Sequence, residues 1–292
     1  MNTRPTTLAE QLEGTLHVVP ASRFHRLTEL EFGMPGLVAI ESVGPFVEVA
    51  KVGPFITIHD SFLGPGLGIG HHPHRGNERL FYILRGEIRH DDSLNGITGV
   101  MGEGDLARLT EGERGMLHRE WNGRTDITTH AFILVYTPDA VPPIPTASFD
   151  ALPAADVPRV EEAPGIDTLE LIGGRSAFRA NTSALTTFFD TSLADAASVE
   201  TAIPARSGLI LYPLAGRVTV EASPAENAEL GGSGHVHPEG PDAVAIAWAD
   251  ETERIVRLSA VGGSARVIRL GFARRSDSDL VVQRPLQRGD SA

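Results

Sequence analysis

Residues 68–90 read GIGHHPHRGNERLFYILRGEIRH, and this stretch decides both the fold class and the candidate site. Its second half, residues 79–90, runs an apolar strand into a glycine turn and out along an alternating strand, which is typical of a β-hairpin. Its first half places His72 and His74 two residues apart. Because side chains alternate faces along a strand, both imidazoles should project to one side, as two neighbouring metal ligands must.

Short β-prone runs continue on both sides of this stretch. Between Leu16 and Tyr136 they include LVAIESV, FVEVAKV, PFITIHDSF and HAFILVY, separated by glycine. After a segment rich in proline and alanine, runs such as GLILYPLAGRVTVEA, AVAIAW and SARVIRLGFA resume. Residues 208–221 echo residues 79–90, which suggests a duplicated unit. The pattern, with its 31 glycines and 20 prolines, predicts an all-β chain of two barrels or sandwiches.

The expected domain limits follow from these composition changes. We divide the 292 residues into an N-terminal extension (1–15), a metal-binding barrel (16–140), a linker (141–165), a second barrel without metal (166–273) and a polar tail (274–292). The tail is apolar only at Leu280, Val281 and Val282, so we expect it to lie over the surface.

Charge and composition exclude several classes of function. A net charge of −13 disfavours a nucleic-acid groove or an anionic membrane as partner, because both would be repelled. No run of about 18 apolar residues is present, and the N-terminal sequence has no apolar stretch before a cleavage site, so we expect a cytoplasmic protein. The chain has no cysteine, and any metal must therefore bind to nitrogen and oxygen.

A second pair of candidate ligands lies in GMLHREWNG, residues 115–123. His118 and Glu120 are again two residues apart, so both should share one face of a strand. If the two strands face each other across a barrel interior, three nitrogens and one carboxylate oxygen converge. This set suits Fe(II), Mn(II), Ni(II), Cu(II) or Zn(II), and two positions of an octahedral ion would stay open for substrate or dioxygen. A closed tetrahedral site would instead be structural.

The spacings around these pairs resemble the cupin motifs. G-x5-H-x-H-x3-E over residues 66–78 is similar to the first motif, and G-x2-H-x3-N over residues 115–122 to the end of the second. Glu113 stands where the second motif commonly has proline. HPHRG, LRGEIRHDDS and GMLHRE together look most like the pirin family, specifically over residues 54–122 and more weakly over residues 16–272. The resemblance implies two tandem cupin (jelly-roll-like) β-barrels.

The resemblance also implies a ligand set. Pirins hold their metal with both histidines of HPH and with the later His-x-Glu, which here are His72, His74, His118 and Glu120. We expect one divalent ion to be bound, with Fe(II) preferred and Mn(II), Ni(II), Cu(II) or Zn(II) as alternatives. The general cupin pattern would use Glu78 as its carboxylate. We favour Glu120 because its spacing to His118 agrees with the pirin pattern, and we expect Glu78 to orient the ligating imidazoles through hydrogen bonds.

Two functions of different class follow from the family. Some pirin-like proteins are similar to quercetin 2,3-dioxygenases, which open a flavonol ring with dioxygen and release carbon monoxide. That resemblance implies a metal-dependent dioxygenase for a small aromatic or flavonol-like substrate, with Glu120 accepting the substrate hydroxyl proton. Eukaryotic pirins are transcriptional co-regulators, so a non-catalytic sensor with a protein partner, and no direct DNA contact, is the alternative. A third possible role, which does not come from the family, is a structural barrel stabilised by its metal.

The remaining histidines are interpreted as structural or exposed. His71 should face away from His72, and His59, His90 and His130 are each expected to be surface or hydrogen-bonded residues rather than ligands. A further His-x-His pair, His235 and His237, lies in GGSGHVHPEG without a β-prone run or a later His-x-Glu. Where the second barrel would have its own HPH, the chain reads IPARSG. We therefore expect no metal in the second barrel.

Overall fold

A computed structural model describes residues 16–140, 142–223, 226–234, 240–275 and 279–282. The expected N-terminal extension, most of the tail, and His235 and His237 lie outside the described residues. The described chain is almost entirely β-structure. Its single α-helix, α1 (Glu29–Phe32), begins with a capping box in which Thr28 and Glu31 satisfy each other's backbone amides, and it ends at Gly33 in the left-handed conformation.

The strands of the first half are β1 (Leu16–Pro20), β2 (His25–Leu27), β3 (Leu37–Val43), β4 (Val49–Val52), β5 (Phe55–Leu63), β6 (Gly68–His74), β7 (Glu78–Arg85), β8 (Glu87–Asp92), β9 (Ile97–Gly102), β10 (Leu106–Thr110), β11 (Met116–Asn122) and β12 (Thr129–Tyr136). Those of the second half are β13 (Ser148–Leu152), β14 (Arg159–Ala163), β15 (Ile166–Ile172), β16 (Leu185–Leu193), β17 (Ser198–Ile203), β18 (Ser207–Ala222), β19 (Glu226–Ser233), β20 (Ala243–Ala249), β21 (Arg254–Ala260), β22 (Ala265–Ala273) and β23 (Leu280–Val282). Single 3-10 turns lie at Ala21–Arg23 and Ala154–Asp156.

Three sheets build two barrels. A nine-stranded sheet of order β13-β10-β7-β12-β5-β3-β2, with β4 on β5 and β23 on β4, faces a four-stranded sheet of order β6-β11-β8-β9 in the first barrel. A ten-stranded sheet of order β1-β20-β18-β22-β16-β15-β14, with β19 and β21 on β18 and β17 on β21, curves into the second. The prediction of an all-β chain with two tandem cupin barrels is confirmed.

Strand pairing crosses the expected domain limits at both ends. Strand β1, expected in the first barrel, pairs with β20 of the second, and β23 of the expected tail pairs with β4 of the first. Each end thus covers a sheet edge of the other half, which satisfies backbone groups that an open edge would leave unpaired. The expected linker also contains two strands: β13 pairs with β10, and β14 with β15. Strands β13 and β14 were not predicted, because the segment around them is rich in proline and alanine.

The largest apolar cluster lies between the barrels rather than inside either one. Alternate residues of β7 separate the two environments: Leu80 and Tyr82 join the cluster shared with the second half, whereas Phe81 and Ile83 fill the interior of the first barrel. A strand buried on both faces needs a nearly continuous apolar sequence, which explains why RLFYIL does not alternate. Within the described residues, no helix has the length and apolar character to cross a bilayer.

Candidate metal centre

Three neighbouring strands place the candidate ligands. Strand β11 is hydrogen-bonded to β6 on one side and to β8 on the other, in the order β6-β11-β8. His118 lies directly opposite His72, and Glu120 lies opposite His90. The two ligand strands are therefore adjacent, not facing each other across the barrel as we expected. The ligands still converge, because side chains that project from adjacent strands on the same face of a sheet lie side by side.

The three predicted histidines form one cluster. Ring centroids are 4.5 Å apart for His72 and His118, 4.7 Å for His72 and His74, and 4.9 Å for His74 and His118. One ligand nitrogen from each ring can be chosen so that all three lie within 4.8 Å of one another. This spacing allows the three imidazoles to bind one ion.

Glu120 joins this cluster through His118. Its Oε1 lies 3.3 Å from His118 Nδ1, and it belongs to a second group of possible ligands with His90 and His118. The pairing of β6 and β11 shifts by one residue between His118 and Glu120, so Glu120 faces Ile69 instead of continuing the register set by His72. The predicted quartet thus appears as two overlapping groups that share His118. In the described part of the chain, both groups lie in the first barrel.

Unsatisfied polar atoms indicate that this cluster suits a metal. Among the described residues, His118 Nε2 and Glu120 Oε1 are buried and have no hydrogen-bond partner. Leaving buried polar atoms unpaired costs free energy, commonly about 1–3 kcal/mol each. A divalent cation would use the lone pairs of such nitrogen and oxygen atoms, so the donor set fits the ion that the sequence predicts.

Burial keeps the histidines neutral and therefore ready to bind a metal. Desolvation, followed by the neighbouring imidazoles, lowers the pKa of His118 to about 2. Desolvation and the Arg79 guanidinium lower that of His74 to about 3, and desolvation also lowers the pKa of His72. Burial raises the pKa of the Glu120 carboxyl to about 7, although Arg79 opposes this shift. Glu120 alone of the four must then lose a proton near neutral pH to bind a metal.

Outer contacts orient two of the rings. The His72 Nδ1–H group donates to the Gly70 carbonyl over 2.8 Å, which leaves Nε2 of that ring as the ligand atom. His74 Nδ1 lies 2.7 Å from Arg79 Nη2 and 4.0 Å from Glu111 Oε1, while Arg79 Nε donates to the same Glu111 oxygen over 3.0 Å. The partly buried Arg79 and the buried Glu111 thus form an ion pair against the outer side of the His74 ring.

We expected Glu78 to form hydrogen bonds with the ligating imidazoles, but its hydrogen bonds go to other residues. It is completely buried on β7 and accepts hydrogen bonds from Thr110, from the Tyr136 hydroxyl over 2.7 Å and from Asn181 Nδ2 over 2.5 Å. Because Asn181 belongs to the second half of the chain, Glu78 ties the two halves together. No group of possible metal ligands found in the described residues includes it.

Several other histidines have the partners that we expected of structural residues. His59 lies 3.0 Å from Glu41, and His130 pairs with Asp60 in the core. His71 is exposed and lies 3.8 Å from Asp91. His90 is hydrogen-bonded, as the expectation allowed, with its Nδ1 3.3 Å from His118 Nδ1; it is only 2% exposed and lies within the candidate centre.

A cavity of about 370 Å³ opens beside the cluster. His72, His74, Arg79 and Glu120 line it. The rest of its wall is mainly apolar, with Phe32, Leu37, Phe62, Phe81, Ile88 and Ile133 among the lining residues. A mostly apolar cavity with a few polar groups, within the usual range of about 300–1,000 Å³, is typical of small-molecule sites. Helix α1 contributes Phe32, so the capped turn forms part of this wall.

Sequence reasoning missed His90, Arg79 and Glu111. His90 is an alternating residue of β8, but its place opposite Glu120 depends on a strand register that the sequence does not specify. Arg79 and Glu111 meet because β7 pairs with β10, where Arg79 lies opposite Leu109. The sequence offered one signal for this pair: Arg79 stands at the start of one apolar run and Glu111 at the end of another.

Several known proteins are similar to this chain in sequence. The pirin family model matches residues 29–134, which include all four predicted ligands. Pirin-1 of Arabidopsis thaliana is 26% identical over 212 residues, covering 72% of this chain and 71% of that protein. The chain aligns with only 26% and 56% of the length of two other curated relatives.

Solved structures show the same fold. Quercetin 2,3-dioxygenase from Acinetobacter baumannii superposes with a TM-score of 0.69 at 18% identity, covering 88% of this chain and 85% of that one. The bacterial pirin YhhW from Escherichia coli, solved in complex with nickel(II), gives a TM-score of 0.62 at 16% identity, covering 89% of this chain and 100% of that one. The HPH and His-x-Glu pairs lie inside the segment that matches the pirin family model, and the chain has the fold of these solved structures.

Proposed function

We propose that the chain binds one divalent transition-metal ion through His72, His74, His118 and Glu120, and uses it for the dioxygen-dependent cleavage of a flavonol-like aromatic substrate. The observation that supports this best is the cavity of about 370 Å³, because its mainly apolar wall also includes His72, His74 and Glu120. A ligand in this cavity would contact the ion directly. A structural metal would have no need of such access.

The residues of the site suggest a division of work. The bound ion would supply Lewis-acid and redox chemistry at its open positions. Phe62 and Phe81 would bind a planar aromatic ring and exclude water from it. Glu120, as an ionised carboxylate in the wall of the cavity, would accept a hydroxyl proton of the substrate as a base. Binding of the ion and acceptance of that proton would both depend on the ionised carboxylate.

The proposed reaction has defined products. Dioxygen adds its two atoms to the opened flavonol, and one ring carbon leaves as carbon monoxide. No further reductant is needed. The A. baumannii structure named as a quercetin 2,3-dioxygenase makes quercetin the first compound to test.

The test follows quercetin absorbance and carbon monoxide release in air, with the protein loaded in turn with Fe, Mn, Ni and Cu. We expect turnover with at least one metal, and its loss together with metal loading in His74→Ala and Glu120→Ala. His71→Ala is the matched control, because the exposed His71 lies on the opposite side of the same strand. If every metal-loaded form leaves quercetin unchanged, the dioxygenase assignment is wrong, and a partner captured only by metal-loaded protein would favour the regulatory alternative.

A further inference from the structure

His118 is the residue on which both groups of possible ligands depend, and its second nitrogen needs a partner. A histidine that binds a metal through Nε2 has its proton on Nδ1, and in metal sites that N–H is almost always given to an acceptor. His118 is completely buried, so water is not available for this purpose. The atoms near its Nδ1 are His90 Nδ1 and Glu120 Oε1, each at 3.3 Å.

Glu120 is already assigned to the metal, which leaves His90 as the acceptor. His90 reaches this position from β8, the neighbour of β11 on the side away from β6. It is thus separated by one strand from His72 and His74. From there it contacts the outer side of the His118 ring without taking a place among the pirin ligands.

The ring of His90 is held in place by its surroundings. His90 pairs with Gly99 on β9, and the Phe149 ring stacks against it at 5.9 Å with an angle of 16° between the planes. A Cβ atom at Gly99 would lie 2.4 Å from Phe149 Cζ. The missing side chain at Gly99 is therefore what lets Phe149 lie against His90. A ring fixed in this way can fix its neighbour.

We propose that His90 is a positioning residue of the metal centre: its Nδ1 accepts the Nδ1–H of His118, and so selects the tautomer that presents His118 Nε2 to the ion. The proposal rests on the metal centre of the proposed function but not on the reaction assigned to it. An imidazole acceptor here is unusual, because carboxylates, backbone carbonyls and water are the common partners of ligating histidines. His90 itself then has its proton on Nε2.

The test compares two substitutions at His90 in the full chain. His90→Asn keeps an acceptor oxygen close to the place of Nδ1, whereas His90→Leu keeps the volume and removes the acceptor. Metal-stripped protein is titrated with Ni(II), and thermal melting reports folding. We expect His90→Leu to weaken Ni(II) binding about 10- to 100-fold. His90→Asn should stay within about threefold of the unchanged protein, as should His71→Leu, the exposed control.

Two results for the His90 variants would contradict the proposal. Unchanged Ni(II) affinity in His90→Leu would show that His118 needs no such partner. Equal loss in both variants would mean that His90 binds the ion itself or only fills space. If the unchanged protein binds no Ni(II), the metal centre fails along with this proposal; if it binds Ni(II) but cleaves no flavonol, only the assigned reaction fails.

A second measurement needs no variant and so does not depend on folding of His90→Leu. Nitrogen-15 chemical shifts of the imidazoles in metal-stripped protein distinguish a protonated ring nitrogen from a bare one. We expect the proton of His118 on Nδ1 and that of His90 on Nε2. A proton found on His118 Nε2 would overturn the proposal.

Discussion

The Tyr82 hydroxyl of β7 donates a hydrogen bond of 2.6 Å to Asp190 Oδ2 of β16, and this buried contact joins the two barrels. A reciprocal contact runs the other way, since the Tyr212 hydroxyl donates to Asp60 Oδ2 over 3.1 Å. The interval along the chain from Tyr82 to Tyr212 equals that from Asp60 to Asp190. The two contacts are therefore equivalent positions of a duplicated unit.

Removing one of these hydroxyls should weaken the association of the barrels. We expect Tyr82→Phe to lower the free energy of unfolding by about 1–2 kcal/mol, because the buried Asp190 loses one hydrogen bond. The loss should not be larger, since Asp190 keeps its bonds to Arg266. Urea unfolding measures the effect. Thr98→Val, which removes an exposed hydroxyl, is the control and should change stability by less than about 0.5 kcal/mol. Equal effects in the two variants would mean that the contact between the barrels contributes nothing.

Metal affinity should depend on pH through Glu120. Burial raises its pKa to about 7, whereas the pKa values of His74 and His118 are lowered to about 3 and about 2. Between roughly pH 5.5 and 7 one proton must therefore leave for each ion bound, so affinity should rise about tenfold per pH unit and level off above pH 7. Ni(II) titration at several pH values measures this. A steeper rise would show that the histidines are protonated as well.

Glu120→Gln is the matched variant for this prediction. It has no carboxyl proton to release, so its weaker Ni(II) binding should be nearly constant over the same pH range. A slope that survives in Glu120→Gln would assign the proton to another group.

Stability of the metal-free protein should depend on His118 with a predictable sign. Its pKa is lowered from 6.5 to about 2 in the folded chain, so below pH 6.5 the unfolded chain binds a proton that the folded one does not. Stability is then lost as the pH falls, by up to about 1.4 kcal/mol per pH unit from this residue. Urea unfolding of unchanged protein and His118→Asn, compared at pH 7 and pH 5, isolates the effect. Parallel losses in the two proteins would contradict it.

The turn between β7 and β8 depends on Gly86. Its φ of +87° is rare for other residues, and an added Cβ would lie 2.5 Å from Thr129 Oγ1 and 3.1 Å from Thr129 Cα. We expect Gly86→Ala to cost about 2–4 kcal/mol, from the backbone conformation and from crowding. Gly96 has a φ of +68° with open space around it, so Gly96→Ala should cost only about 1 kcal/mol. Thermal melting of both variants at equal pH checks the difference.

Local pattern was sufficient to predict much of the fold and the site. Alternation along β11 placed His118 and Glu120 on one face, and both are buried there as expected, while Arg119 between them is exposed. The echo of residues 79–90 in residues 208–221 indicated duplication, and Tyr82 and Tyr212 occupy equivalent positions in those segments. These features depend on neighbours in sequence.

Features that depend on distant pairing could not be predicted. The exchange of β1 and β23 between the halves joins residues more than 200 positions apart, and nothing local distinguishes their partners. His90 was interpreted as structural for the same reason, since only the pairing of β8 with β11 brings it to His118. Strands β13 and β14 were hidden by proline and alanine, because tertiary pairing outweighed weak local propensity there.

The metal centre itself is tested most directly by elemental analysis of purified protein beside its His118→Ala variant. His118 belongs to both groups of possible ligands, so its loss should disrupt either arrangement. We expect about one first-row transition-metal ion per chain in the unchanged protein and less than about a tenth of that in His118→Ala. Equal metal content in the two folded proteins, or none in the unchanged protein after incubation with Fe, Mn, Ni and Cu, would contradict it.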